Sequence, residues 1–207
     1  MAVEFCQSDP LHTGEMDSIL LESDGGLVAL QDLYQRQPVL LFMLRYTGCP
    51  LCREQLKQAQ PLVDEIRAKG IEVYAVAQCS GQEAEQLRRD MDLDFTILGD
   101  PPRALYQALK LRRGNLWQLT VAPLMRDPVR GLFRLANTRR PGRDWFQLGG
   151  VALIDTTGQL RWRFHQRDAG DMPEGEAIHV AVDEVVQAPE DRPQRRRRFW
   201  PWQWLRR

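Results

Sequence analysis

The sequence predicts an α/β layered fold, and three observations carry that reading. The run Val39 to Leu44 is apolar at every position, as expected of a parallel strand covered by helices on both faces. A segment with apolar residues at helical spacing follows it, and a second apolar strand, Ile71 to Ala77, comes next, so the unit is strand, crossover helix, parallel strand. Two cysteines, Cys49 and Cys52, stand at the turn between the first strand and its helix.

The 207 residues suit one well-buried domain with extensions, and 43% hydrophobic and 27% charged residues are ordinary for a soluble globular chain. The expected divisions are an N-terminal extension over 1–24, the α/β domain over 25–188, and an Arg/Trp-rich disordered tail over 189–207. Met1 to Gln7 shows no basic region leading into an apolar core, and no apolar run approaches the ~20 residues of a membrane span. The cytoplasm is the expected address, with peripheral membrane association through the tail as a further expectation.

In chain order, residues 1–24 are polar, with Asp9-Pro10 and Asp24-Gly25-Gly26 as turn signals, and read as an arm on the domain edge. Leu27 to Leu30 suits a short strand and Gln31 to Arg36 a helical turn. Pro38 opens the central strand. After the cysteines, Leu51, Leu56, Ala59, Leu62, Val63 and Ile66 define one helix face, Pro61 removes a backbone donor, and Gly70 stops the helix. Gln82 to Met91 reads as a helix and Phe95 to Leu98 as a strand. Asp100 followed by proline predicts a capped helix running through Leu105 and Leu109 towards Gly114. Residues 115–147 place Val129, Leu132, Phe133 and Ala136 at helical spacing among arginines, which suits an amphipathic helix with a solvated basic face, or a lid or docking surface for an anionic partner. Gly149 to Asp155, a Thr156-Thr157-Gly158 turn and Gln159 to His165 predict a hairpin, and Ala177 to Val186 a closing helix.

The chemistry suggested by Cys49 and Cys52 follows from their place. Cys49 lies just ahead of a helix, where unpaired N–H groups and the helix dipole favour a thiolate, so it is the better nucleophile. A non-helical Cys49 can also approach Cys52 closely enough for a disulfide, and Pro50 fits the first helical position. Two other readings stand beside this one, a structural zinc site and a pair of inert buried cysteines. Zinc normally needs four ligands, and no second Cys-x-x-Cys or His-x-x-x-His pair exists. A turn opening on proline is an exposed place for inert thiols. Cys79, at the end of the neighbouring strand, either approaches the site or serves as a small apolar residue. Cys6 carries no signal, and His12, His165 and His179 lie outside any metal or nucleophile spacing. Dinucleotide and P-loop fingerprints are both missing, so electrons must come from a partner thiol or another enzyme.

Thr47-Gly48-Cys49-Pro50-Leu51-Cys52-Arg53, the helix after it, and Leu148 to Asp155 leading to His165-Gln166-Arg167-Asp168-Ala169 resemble the peroxiredoxin-like branch of the alkyl hydroperoxide reductase and thiol-specific antioxidant superfamily, related to selenoprotein U. The resemblance runs from about Asp24 to Pro173. It implies a thioredoxin-like mixed sheet flanked by helices, with the basic helical insertion before the last hairpin. It also implies a thiol-dependent antioxidant activity, as a peroxidase or disulfide reductase, with Cys49 attacking and Cys52 resolving through a redox-active Cys49–Cys52 disulfide. No bound cofactor is implied; the partners are a peroxide or disulfide substrate and an external thiol reductant of thioredoxin or glutathione type. The chain departs from the peroxiredoxin pattern Pro-x-x-x-Thr-x-x-Cys plus a later arginine. Phe42 stands at the proline's place, Thr47 is two rather than three residues ahead of Cys49, and Gly149 falls near the arginine's place. Thr47 and Arg45 join the two cysteines as candidate site residues, with Arg161 as the other arginine that could serve.

The tail combines seven arginines with only Glu190 and Asp191 and interleaves Trp200, Trp202 and Trp204, whereas the whole chain has a formal charge of zero. Arginines suit anionic headgroups and indoles suit the interface, so an anionic membrane surface is the first partner expected of it and nucleic acid the second. A disordered tail with no specific partner is the plain alternative. A protein of another class, a redox-sensing binding or tethering protein working through this tail, is therefore the alternative to an enzyme.

Overall fold

The computed structural model describes residues 16–126, 128 and 144–187. Seven strands form one mixed sheet: β1 Leu20–Ser23, β2 Gly26–Ala29, β3 Val39–Met43, β4 Glu72–Ala77, β5 Thr96–Gly99, β6 Gly150–Ile154 and β7 Leu160–His165. Their order is β2-β1-β5-β4-β3-β6-β7, with β3 parallel to β4 and antiparallel to β6. The helices are α1 Leu30–Tyr34, α2 Pro50–Ala68, α3 Gly81–Met91, α4 Ala104–Ala108, α5 Ala122–Arg126 and α6 Gly175–Gln187. This is the mixed sheet with flanking helices expected of the sequence.

All five residues of β3 are buried because both of its faces are covered. Leu40 and Phe42 pack with Leu56, Val63 and Ile66 of α2 and Ile178 and Val182 of α6. Val39, Leu41 and Met43 pack on the other face with Leu30 and Tyr34 of α1 and Leu105 and Tyr106 of α4. A buried Leu truncated to Ala in such a core costs about 2–5 kcal/mol, so the two layers fix β3 and everything attached to its end.

α2 begins at Pro50 and continues through Pro61 to Ala68, where Lys69 caps it and Gly70 turns the chain at φ +80°. α3 opens on a capping box, with Ser80 Oγ accepting the Glu83 N–H and the Glu83 carboxylate accepting the Ser80 N–H.

Three elements differ from expectation. The 1–24 arm enters the sheet within its described part: β1 pairs with β2 and touches β5 at Glu22 and Gly99, and Met16, Ile19 and Leu21 are buried. The helix expected from Asp100 starts later and is shorter. Pro102 disfavours helical backbone at Pro101, so the helix begins at Ala104, and the Asp100 carboxylate reaches over the turn to accept the Ala104 and Leu105 N–H groups at 2.9 Å each. A π-helical turn at Trp117–Val121 leads into α5. The amphipathic stretch around Val129 to Ala136 and the Arg/Trp tail lie outside the described residues. Among the described residues no helix is long and apolar enough to cross a membrane.

The expected hairpin is β6 and β7, closed by a turn in which Asp155 accepts from Thr157 and Gln159 and Gly158 adopts φ +82°. Gly149 lies where the chain passes β3 so closely that a Cβ would sit 2.2 Å from Met43 O. No side chain fits there. The later arginine of the peroxiredoxin pattern is therefore sterically barred from this position, whatever chemistry would favour it.

Candidate active site

The site forms where β3 ends and α2 begins. Cys49 is the N-cap of α2: its backbone is extended, its N–H donates to Tyr46 O at 3.2 Å, and its carbonyl accepts the Arg53 N–H at 3.1 Å. Its Sγ accepts the Cys52 backbone N–H at 3.5 Å, which satisfies a donor left open by the helix start. Pro50, at the first helical position, has no N–H to satisfy. Cys49 and Cys52 come within 3.2 Å of each other, and both are free thiols.

Both thiols are buried, Cys49 at 2% and Cys52 at 1% exposure, which corrects the expectation of an exposed turn. The cover comes from distant sequence. Leu51, between them, packs with Leu119 of the π-helical turn, Leu148 and the fully buried Ala169. Residues 167–169 are tied to that turn by Ala169 N–H to Gln118 O at 3.0 Å and Gln118 Nε2 to Arg167 O at 2.9 Å.

Arg45 supplies the charge. It is 2% exposed, and its Nη1 lies 3.8 Å from Cys49 Sγ. Its Nη2 donates to Trp145 O at 3.0 Å, its Nε donates to Gln147 O at 3.3 Å, and the guanidinium sits 5.5 Å from the Tyr46 ring centroid. No carboxylate pairs with it among the described residues.

These contacts separate the two thiols. The hydrogen bond from the Cys52 thiol lowers the Cys49 pKa most; burial opposes, Arg45 and the Cys52 and Leu51 N–H groups assist, and the result is about 7 rather than 9.0. Burial raises Cys52 well above its ordinary value, reinforced by the negative Cys49 beside it. The arrangement favours a thiolate at Cys49 over one at Cys52, with the Cys52 thiol as donor to it. Burial, with help from Glu83 and Glu22, pushes Cys79 up to about 12, which suits its reading as a small apolar residue.

The structure thus joins Cys49, Cys52 and Arg45. Thr47 is half-buried on the same turn and makes no hydrogen bond to either thiol among the described residues. Arg161 is removed from consideration. It lies on β7 at the hairpin end, paired with Asp155 at 3.6 Å, whereas Met43 and the thiols stand at the opposite end of the sheet, beside Gly150 and His165. Among the described residues no group of three or more His, Cys, Asp or Glu side chains is placed to hold a metal ion. Sequence reasoning missed Gln78, Asp144, Trp145 and Gln147. Trp145 and Gln147 act through main-chain carbonyls, which leave no residue-type signal.

Residues 58–168, more than half of the chain, match the AhpC/TSA antioxidant enzyme family; the match begins after the two cysteines. Among curated proteins, the chain is 28% identical to a prostamide/prostaglandin F synthase of Danio rerio over 76% of this chain and 80% of that one. It is 27% identical to a protein of the same name from Salmo salar over 86% and 90%. Among solved structures it resembles the bacterioferritin comigratory protein of Xanthomonas campestris, with a TM-score of 0.60 at 12% identity over 90% of this chain and 99% of that one. Peroxidoxin BcpB of Mycobacterium tuberculosis gives 0.58 at 13% identity over 83% and 93%. At such identity these structures speak for the fold alone. On the family match over more than half of its length, the chain belongs to the AhpC/TSA antioxidant enzyme family, with a thioredoxin-like fold.

Proposed function

We propose that the protein is a thiol-dependent antioxidant oxidoreductase in which Cys49 attacks and Cys52 resolves. One observation carries the reading: Arg45 is buried with no carboxylate partner among the described residues, and Cys49 Sγ is 3.8 Å from it. A lone buried cation is costly, and the carbonyls that seat it bring partial charge only. A thiolate at Cys49 supplies the missing negative charge.

With a hydroperoxide, the Cys49 thiolate attacks the outer oxygen and the O–O bond breaks. The sulfur is oxidised to a sulfenic acid, and the departing alkoxide takes a proton and leaves as an alcohol. Cys52 then attacks the Cys49 sulfur, the S–S bond forms, and its thiol proton leaves with the hydroxyl as water. A thioredoxin- or glutathione-type thiol reduces the disulfide by exchange. With a disulfide substrate, Cys49 forms a mixed disulfide and Cys52 displaces the reduced product. Thr47, two residues ahead of Cys49, is the hydroxyl nearest in sequence to the reacting sulfur.

The exposed Trp145 and Phe146, beside the carbonyls that seat Arg45, favour an apolar peroxide over a small polar one. The synthase names of the two fish relatives are compatible with such a substrate. Thiol-dependent turnover of hydrogen peroxide, an aryl-alkyl hydroperoxide and a small disulfide tests the reading. Cys49→Ser is expected to abolish turnover, and Cys52→Ser to leave a sulfenic acid that a dione reagent traps. Unchanged turnover in Cys49→Ser would sink the proposal.

A further inference from the structure

Arg45 is gripped by residues a hundred positions away. The carbonyls of Trp145 and Gln147 belong to a segment outside any strand or helix, so they seat a guanidinium only if that segment is itself fixed. Main-chain bonds tie its far half to residues 112–114, from Gly114 N–H to Phe146 O at 2.7 Å and from Leu148 N–H to Arg112 O at 3.1 Å, and two further side chains hold its near end. Gln78, 4% exposed and one residue beyond β4, donates through Nε2 to Arg45 O and, at 2.9 Å, to Asp144 O. The Asp144 carboxylate pairs with Arg103, lies 3.2 Å from Arg113, and accepts the Phe146 N–H at 3.1 Å. We propose that Gln78 and Asp144 form a clamp that seats the Arg45 guanidinium against Cys49, which makes them positioning residues for the reacting thiol.

The contacts close a ring. The Gln78 amide ties the main chain of Arg45 to that of Asp144, and the Arg45 side chain returns to the same segment through Trp145 and Gln147. Both N–H groups of the amide face carbonyl oxygens, so an inverted amide would set oxygen against oxygen. Gln78 Oε1 is buried without a partner among the described residues, and within them the side chain is held by its donor end alone. The charges are sorted as well. Asp144 is the carboxylate of the gripping segment, and Arg103 and Arg113 occupy it. Among the described residues Arg45 meets only neutral carbonyls from that segment, which leaves its charge to Cys49.

The proposal rests on Cys49 as the reacting thiol with Arg45 as its charge partner, and the test separates the two. In the full chain, the pH midpoint of Cys49 alkylation by iodoacetamide is read on the Cys49 peptide by mass spectrometry, for wild type, Arg45→Met, Gln78→Met and Asp144→Asn. Gln78→Met keeps the length of the side chain and removes its donors. Its midpoint is expected to rise by about half a pH unit, roughly a twofold fall in thiolate at neutral pH, with a larger rise in Arg45→Met and a rise in Asp144→Asn. Wild-type midpoints in Gln78→Met and Asp144→Asn, with Arg45→Met raised, overturn the clamp and leave the thiol assignment standing. An unmoved midpoint in Arg45→Met overturns both. If Gln78→Met does not fold, the near-isosteric Asp144→Asn decides alone.

Discussion

Replacing Cys52 tests the electrostatics of the site at its strongest contact. The Cys52 thiol is the largest influence holding Cys49 at about 7 instead of 9.0, ahead of Arg45 and the backbone N–H groups, with burial working against all of them. Two pH units correspond to about 2.7 kcal/mol between the two protonation states. At neutral pH about half of Cys49 is then thiolate, against about 1% for an unperturbed thiol. The sign follows directly: Cys49 is an acid with a lowered pKa, so its reactivity rises with pH through about 7 and levels off above it. Cys52→Ala deletes the donor but leaves Arg45 and the N–H groups in place, so the midpoint should rise by about one unit and the rate at neutral pH should fall about fivefold. Cys52→Ser keeps an O–H donor and should shift it less. The assay is the pH dependence of Cys49 alkylation, followed with the ultraviolet absorbance of the thiolate. A wild-type midpoint near 9, or a Cys52→Ala midpoint equal to wild type, would mean that the Cys52 thiol does not hold Cys49 low.

Gly149→Ala should destabilise the fold by about 2–4 kcal/mol in denaturant unfolding, because the new Cβ would lie 2.2 Å from Met43 O and 2.9 Å from Gln166 Oε1. Tyr106→Phe should cost about 1–2 kcal/mol in the same assay, since the buried hydroxyl donates to Leu44 O at 2.5 Å and Val76 O at 3.0 Å just below the site. His165 should make stability fall in acid. Burial first, then Arg163 and Arg112, lowers its folded pKa to about 4 from 6.5, so the unfolded chain takes up the proton first as pH drops. Stability present above 6.5 is therefore lost between 6.5 and 4, by about 1–2 kcal/mol after allowance for solvent screening. Unfolding midpoints of His165→Gln across that range should show a shallower fall.

Much of the frame was legible because its residues repeat with a period. Val39 to Met43 and Val73 to Ala77 are apolar runs, α2 carries its buried face at helical spacing, and Gly158 marks the hairpin turn. β1 was hidden because four residues, Leu20-Leu21-Glu22-Ser23, are too few to show alternation, and Leu21 is its only buried residue. The short α4 follows from two successive prolines, whose combined effect a single Asp-Pro cap signal understates. Of the site, the cysteines announce themselves by spacing and Arg45 by adjacency. Gln78, Asp144 and the carbonyls of Trp145 and Gln147 come from the ends of other elements and meet Arg45 only through the pairing of β3 with β4 and β6. Burial of the thiols was illegible for the same reason, as Leu119, Leu148 and Ala169 close over Leu51 from three separate segments.

The proposed function requires Cys49 and Cys52 to work as one dithiol. The direct test is to treat the fully reduced protein with one equivalent of hydroperoxide and map its thiols by non-reducing peptide mass spectrometry. A disulfide joining Cys49 and Cys52 is expected, with one alcohol formed per disulfide and Cys79 still a free thiol. Oxidation falling on Cys79, or Cys49 and Cys52 both left as thiols while the peroxide persists, would contradict it.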